Sequence, residues 1–462
     1  MKDDTKEIAL KDSGTARCPG PSTRDIILED TGPKAPAVIT DEVYEFLGDE
    51  DLDYSVYTDP SIHVLEMQKL WNEVWQFACR VEHIPQSGDS YVYDVGDYSI
   101  LIIRQADESI KAFINSCKHR GMQLQPCGAR AHNRTIRCPF HGFTWANNGQ
   151  LMTIPCEWDF PHVDKKDFAL DEVHVETWGG FVFVNFSDNP PPLQNYLEVM
   201  PEHFRHWPME RRHIALHIEK KLPANWKIAQ EAFLEAYHVI ATHPQGLKTA
   251  GDANAQYDVY GENTSRFAHT IGFPSPHLKG KRSEALILSD LGGDELGLSI
   301  EPGQSAREVF AAHLRQSLGE AMGVDLSEYS TSEMVDSIEY HCFPNFMVFP
   351  GVSMPMVYRF RPDGDDPDNS IFDLIFMALT PDGEAAPAAP DPIRIDAETS
   401  FTTVAEMSPA LAEIYDQDTD NLIMQTRGIK ASRKAGQTLG NYQEVRIRRV
   451  RKTLHKYLFG NA

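Results

Sequence analysis

Two short loops constrain this chain more than any other feature. Cys117-Lys118-His119 and Cys138-Pro139-Phe140-His141 form a C-x-H and C-x-x-H pair, with eighteen residues between His119 and Cys138. Each loop supplies one thiolate and one imidazole. Two of each is the donor set of a [2Fe–2S] cluster in which cysteines hold one iron and histidines the other. Imidazole is neutral where thiolate is anionic, so the histidine-bound iron is the easier to reduce. The rival is a structural Cys2His2 zinc site, but zinc fingers take both thiolates from one loop and both imidazoles from another.

The chain has 462 residues, 41% of them hydrophobic, enough for a large core and two domains. Its formal net charge of −25 argues against wholesale nucleic-acid binding, because nothing in the totals would neutralise a phosphate backbone. The cysteines number seven, and Cys18, Cys79, Cys127, Cys156 and Cys342 show no framework spacing. Cysteine spent on metal rather than on disulfides points to a reducing cytoplasm. The first six residues (MKDDTK) lack an apolar signal-peptide core, and no run of about 18 apolar residues suggests a membrane span.

Residues 1–54 are polar and rich in Asp, Thr and Pro, and read as a loosely ordered arm. Residues 63–79 carry apolar positions at helical spacing and predict a helix. Residues 91–95 and 98–104 flank Gly96-Asp97, a hairpin signal, and 179–186 read as a further strand. This is an all-β module with metal at its loop tips, spanning residues 55–189 with the preceding helix. Pro190-Pro191-Pro192 then breaks the chain. Beyond it, residues 190–462 mix helices and strands. Ser305 with Glu308 forms a capping box opening a helix. Residues 337–349, 356–361 and 370–380 read as strands, and 381–397 as a loop. Ser408-Pro409 opens a helix ending near Gly428. The fold class is α+β: an antiparallel β domain ahead of a catalytic domain whose mixed antiparallel sheet is covered by helices.

A second constellation lies in the segment from Asn225 to Pro244, which reads as a helix stopped by Pro244. Glu235 and His238 are three apart and share one face. His238 and His243 are five apart, about 140° around a regular helix. Both reach one metal only if the helix widens or unwinds between them, as π-bulges at functional sites do. Two histidines and one carboxylate make the facial triad that leaves positions open on a non-haem Fe(II). The carboxylate candidates are Asp416, Asp418 and Asp420, and spacing alone does not choose among them.

From about residue 55 to the C-terminus the chain resembles the α subunits of Rieske non-haem iron oxygenases, the aromatic-ring-hydroxylating family. The resemblance rests on residues 115–121 (NSCKHRG), 138–145 (CPFHGFTW), Gly149-Gln150-Leu151 and 179–185. It continues through Asn225-Trp226-Lys227, Tyr237-His238, His243-Pro244, Gln417-Asp418 and 439–444 (LGNYQE). The family's iron aspartate precedes an Asn-(Leu/Met) pair by three residues, which selects Asp418. Dihydroxylating members carry aspartate where this chain has Glu235, and many carry asparagine where it has Ala232. A glutamate at the first position resembles the branch acting on quaternary ammonium compounds.

The resemblance implies a Rieske cluster on Cys117, His119, Cys138 and His141, and a mononuclear Fe(II) on His238, His243 and Asp418. It also implies a trimeric ring, as a homotrimer or as α3β3 with a small subunit. In the ring, the cluster of one subunit feeds the iron of the next through His119 or His141, Glu235 and His238. The expected activity is a terminal oxygenase using O2 to hydroxylate or dihydroxylate an aromatic or hydrophobic small molecule. N- or O-dealkylation, or attack on a quaternary ammonium compound, is the alternative; an Fe–S electron-transfer protein without oxygen chemistry is the rival class. No dinucleotide fingerprint is present, so electrons from NAD(P)H arrive through a separate flavin reductase, with or without a ferredoxin.

Lys118, Arg120, Arg130, His132, Arg134 and Arg137 crowd the cluster loops of an acidic chain. They read either as soluble loops or as a docking patch for an acidic ferredoxin. Cys127 lies in neither motif and reads as an ordinary thiol. Phe233, His341, Phe343, Asn345, Phe346 and Phe349 read as core more readily than as substrate pocket. Residues 246–300, rich in Gly, Asn, Ser and Pro, suggest substrate-access loops.

Overall fold

A computed structural model of the chain describes residues 12–460. The first eleven residues, on which the signal-peptide expectation rests, lie outside them. A seven-stranded antiparallel sheet carries the cluster loops. Its order is Gln76–Arg80, Phe181–Asn185, Glu172–Trp178, Ile110–Ile114, Tyr98–Arg104, Asp89–Val95, Arg130–His132. The expected hairpin is present: Val95 pairs with Tyr98, and Gly96 takes the positive φ of +51° that the two-residue turn requires. A three-stranded sheet, Thr135–Arg137, Thr144–Ala146 and Leu151–Thr153, supports the second loop.

The larger sheet has eight strands, in the order Gln256–Val259, Thr264–His269, Ser337–Cys342, Phe346–Val348, Met356–Pro362, Ser370–Leu379, Arg212–Leu222, Ile393–Ile395. Every pairing is antiparallel except the last, which makes the sheet mixed. Helices Pro409–Ala431 and Val445–Phe459 join the core that covers it. The Ser305/Glu308 capping box opens helix Ala306–Met322, as its spacing predicts. Ser408 caps Pro409–Ala431 with Pro409 in its first turn. Among the described residues, no helix is long and apolar enough to cross a membrane.

Four local expectations need correction. Residues 63–79 are not one helix: Pro60–Lys69 is helical, and Gln76–Arg80 is a strand buried along its whole length. A fully buried strand is apolar on both faces, so its periodicity does not separate it from a buried helix. Residues 337–349 form two strands rather than one, joined through Phe343-Pro344. The supposed loop 381–397 contributes Ile393–Ile395 to the sheet edge.

The arm is the fourth. Its described part is packed, not loose. Thr23, Ile26, Ile27, Ile39 and Leu47 are buried, and Thr23 Oγ1 donates to the Asn254 carbonyl at 2.9 Å. Asp30 pairs with Arg307 at 2.9 Å, and the Arg17 guanidinium sits over the rings of Tyr44 and Tyr442. Polar composition concealed a few well-spaced apolar anchors and one buried ion pair.

One hydrophobic core runs through both sheets. Phe346 touches Phe77, Phe181 and Phe183 across the junction. Asn345 accepts from Phe77 N at 3.1 Å and donates to Tyr93 Oη at 3.2 Å. Arg359, bound to Asp373, also donates to the Ala78 carbonyl. Phe343 stacks on Tyr457. These contacts put Phe343, Asn345 and Phe346 in the core.

Candidate functional site

The two cluster loops are built alike. Cys117 N donates to Met122 O at 2.8 Å, and Gly121 N closes back on Cys117 O at 2.9 Å. Cys138 N donates to Phe143 O at 2.8 Å, and Gly142 N closes on Cys138 O at 3.1 Å. Gly121 and Gly142 both have positive φ, +73° and +77°, which a side chain at either position would strain. The repeated turn sets the two cysteines close together, both of them buried. The His119 and His141 rings stand 4.7 Å apart. The His119 ring stacks on Phe143, and its Nδ1 is buried without a partner. Paired inner thiols, paired outer imidazoles and an orphaned ring nitrogen fit a two-iron cluster.

The basic patch is smaller than its residue count. Lys118 pairs with Asp171, His132 with Asp89, and Arg130 with Asp391. Arg120, Arg134 and Arg137 remain exposed without an ion pair among the described residues. Around them lie exposed apolar side chains: Phe140, Met122, Met152 and Trp158, the last 80% exposed.

The second constellation begins at helix Trp226–Glu231, capped by Asn225 and anchored by Lys227 and Trp226, which both bond the buried Glu66. The helix lapses before His238 and resumes as the single turn Val239–Thr242. The break therefore precedes His238, whereas the sequence suggested one between the histidines. His243 then leaves helical geometry, with φ −122° and ψ 56°. Two contacts account for the break. Tyr257 Oη takes the Ala236 N–H at 2.9 Å. Glu235 Oε2 takes the His238 N–H at 2.9 Å, while its Oε1 meets His238 Nδ1 at 2.8 Å.

Asp418 arrives from helix Pro409–Ala431. His243 Nε2 is 2.8 Å from Asp418 Oδ1, and His238 Nε2 is 3.5 Å from it. Donor atoms of the three residues all lie within 4.8 Å of one another. First-row ions hold nitrogen and oxygen donors at about 2.1 Å, so small side-chain rotations would complete the set. Asp416 is turned away to accept from Ser400 Oγ and Phe401 N, and Asp420 is exposed. Burial would pull the His238 pKa down, but Glu235 and Asp418 outweigh it and lift it to about 9. The pocket thus demands positive charge, which a divalent cation supplies.

Gln417 escaped the sequence reading as a functional residue. Its Oε1 faces His243 Nδ1 at 2.7 Å, as Glu235 faces His238 Nδ1. Each histidine is thereby oriented with Nε2 inward. The adjacent Gln417-Asp418 pair was the only available signal. Tyr257 gave none, because its contact depends on the sheet. Phe233 packs on Tyr358 and Tyr415 beside the triad, and the two tyrosine hydroxyls meet at 2.6 Å. Residues 246–300 are not all loop: they hold two strands and a helix, and they bring His269, its Nε2 unpartnered, close to both histidines.

Comparison with known proteins gives two family matches. The Rieske [2Fe-2S] domain matches residues 74–164, and the ring hydroxylating alpha subunit (catalytic domain) matches residues 202–459. The chain is 31% identical over 196 residues to a glycine betaine monooxygenase oxygenase subunit from Pseudomonas aeruginosa, covering 42% of this chain and 44% of that protein. It is 31% identical over 204 residues to the chlorobenzene dioxygenase subunit alpha of a Cupriavidus species, covering 42% and 45%. The chain thus matches less than half the length of these curated relatives. A solved quaternary ammonium Rieske monooxygenase superposes with a TM-score of 0.62 at 16% identity, covering 88% of this chain and 95% of that one. At that identity the likeness concerns the fold alone.

Proposed function

Because this chain belongs to the ring-hydroxylating α-subunit family of Rieske oxygenases, we propose that it is the terminal oxygenase component of an O2-dependent hydroxylating enzyme. A Rieske domain and a catalytic domain of this family imply a [2Fe–2S] cluster and a mononuclear iron as cofactors. In our reading residues 55–189 are the electron-receiving domain, residues 190–462 the catalytic domain, and residues 1–54 an arm whose described part, residues 12–54, packs against the latter. Cys117, His119, Cys138 and His141 hold the cluster. His238, His243 and Asp418 hold the iron. The observation that carries the proposal is the convergence of those three donors in a chain that also holds a cluster donor set.

When bound, the cluster would supply one-electron reduction and the iron O2 activation. The residues do the rest. Glu235 and Gln417 each accept from a histidine Nδ1–H and so present Nε2 inward. Phe233, Tyr358 and Tyr415 exclude water from the iron side. Glu235 is also the bridge from a partner subunit's cluster histidine to His238. Exposed Phe140 and Trp158 near the cluster, with exposed Tyr237 and Met424 near the triad, suit burial between copies in a ring, as a homotrimer or as α3β3. Arg120, Arg134 and Arg137 remain available to a ferredoxin or reductase, and a cytoplasmic setting suits reduced thiols.

The substrate in this reading is an aromatic or hydrophobic small molecule. The second reading, a monooxygenase acting on a quaternary ammonium compound or by dealkylation, is favoured by Glu235 at the bridge position. Supplying reductase, NAD(P)H, substrate and 18O2 tests the proposal. It expects the label in an organic product. Cluster reduction with no labelled product under substrate screening would favour an electron-transfer protein instead.

A further inference from the structure

The arm lies outside both family matches, which begin at residues 74 and 202. It is nonetheless fastened to the strand that carries Tyr257. That strand, Gln256–Val259, is the outermost of the eight-stranded sheet and pairs with one neighbour only. The arm bonds it directly. Val43 N donates to Asp258 Oδ1 and Val259 N donates to Val43 O, both at 2.7 Å, while Gln256 Nε2 donates to Asp41 O at 2.6 Å. The residues on either side of Tyr257 are thus held by the arm. An edge strand without such a cover opens more readily than a strand paired on both sides.

Side chains tie the same parts together. Leu47 of the arm is buried in one hydrophobic cluster with Tyr257, Phe267, Ala236 and Val239. Ala236 and Val239 lie on either side of Tyr237-His238 in the chain. The Tyr442 ring meets Tyr257 edge-on at 5.4 Å, and its Oη accepts from Tyr257 N at 3.2 Å. Tyr44 of the arm packs on Tyr442 at 5.4 Å and donates to Asn441 O at 3.2 Å. Arg17 lies over both of these rings. At the end of the stack, Tyr257 Oη takes the Ala236 N–H at 2.9 Å. In a continuous helix that N–H would go to the Ala232 carbonyl, one turn back. Diverting it keeps the helix interrupted where His238 turns towards His243 and Asp418.

We infer that Tyr257 is a positioning residue for the iron site, and that the arm, through Leu47 and Tyr44, holds it in place. The inference rests on the iron-site reading above and adds the arm to the parts that shape it. These residues act through the backbone that presents His238, not as ligands. Weakening the arm at Leu47 should loosen the mononuclear iron and spare the cluster, whose loops are held by their own turns.

Titrating the full-length holoenzyme with a ferrous chelator, while following the cluster by its visible absorbance, tests this. Tyr257→Phe keeps the ring against Tyr442 and removes the acceptor. It should yield its mononuclear iron to about tenfold less chelator than the wild type, with the cluster absorbance unchanged. Leu47→Ala should do the same, and Leu47→Met, close to leucine in volume, should restore wild-type retention. Ile27→Ala separates positioning from general stability. Ile27 is buried in the arm but belongs to the main core, so this variant should lower Tm yet hold iron as the wild type does. The EPR line shape of the mononuclear iron with nitric oxide added should change in Tyr257→Phe and Leu47→Ala only. Should Leu47→Ala fail to fold, Tyr257→Phe and Ile27→Ala decide the matter. Wild-type iron retention in Tyr257→Phe or in folded Leu47→Ala, or equal loss in Ile27→Ala, overturns the inference. A wild type with a full cluster but no mononuclear iron sinks the reading beneath it instead.

Discussion

At the scale of single residues, the proposed site turns on which aspartate faces the histidines. Asp416, Asp418 and Asp420 differ little in an acidic stretch of sequence. In the folded helix, Asp416 accepts from Ser400 and Phe401, Asp420 is exposed, and Asp418 is buried beside His238 and His243. Asp418→Ala should therefore abolish mononuclear iron while sparing the visible and EPR signals of the cluster. Asp416→Ala should keep the iron, losing only the hydrogen bonds to Ser400 and Phe401. The reverse outcome would move the ligand to Asp416. The proposed cluster donors could be picked out in the sequence because one Cys and one His per loop is not the zinc-finger arrangement, and because a second metal constellation follows. Gln417 was not legible as a positioning residue, since its partner His243 lies 174 positions away.

At the scale of elements, the broken helix is the informative one. A continuous helix from Asn225 to Pro244 would spread His238 and His243 about 140° apart. The break before His238, and the exit of His243 from helical geometry, bring both rings to Asp418. The sequence demanded a defect but put it in the wrong place, because the groups that cause it are a tyrosine from another strand and the side chain of Glu235. Helix 63–79 failed for a related reason: burial on both faces erases the periodicity that separates strand from helix. Glu235→Gln keeps an acceptor for the His238 ring but removes the charge. We expect both metals to stay bound while electron delivery to the iron slows by about tenfold or more, read by rapid-mixing kinetics of cluster reoxidation. Unaltered turnover would remove Glu235 from the route.

At the scale of the whole molecule, the domain classes were legible and their junction was not. Hairpin and strand signals, the capping box and the Ser408-Pro409 helix start all read locally, and those elements are present. The junction is made of contacts distant in sequence, such as Asn345 bridging Phe77 and Tyr93, or Arg359 reaching the Ala78 carbonyl. Those contacts agree with the reading of Phe343, Asn345 and Phe346 as core. They also fix the two sheets against each other, so the proposed cluster tip and the proposed iron site stand in a constant relation. The arm adds Asp30 and Arg17 to the same packed body. The central claim, that one chain carries both an electron inlet and a separate iron, is tested most directly by counting metal and acid-labile sulfide in the purified protein. The account predicts about three irons and about two sulfides per chain, without zinc. About two irons with two sulfides, or zinc in place of iron, would contradict it.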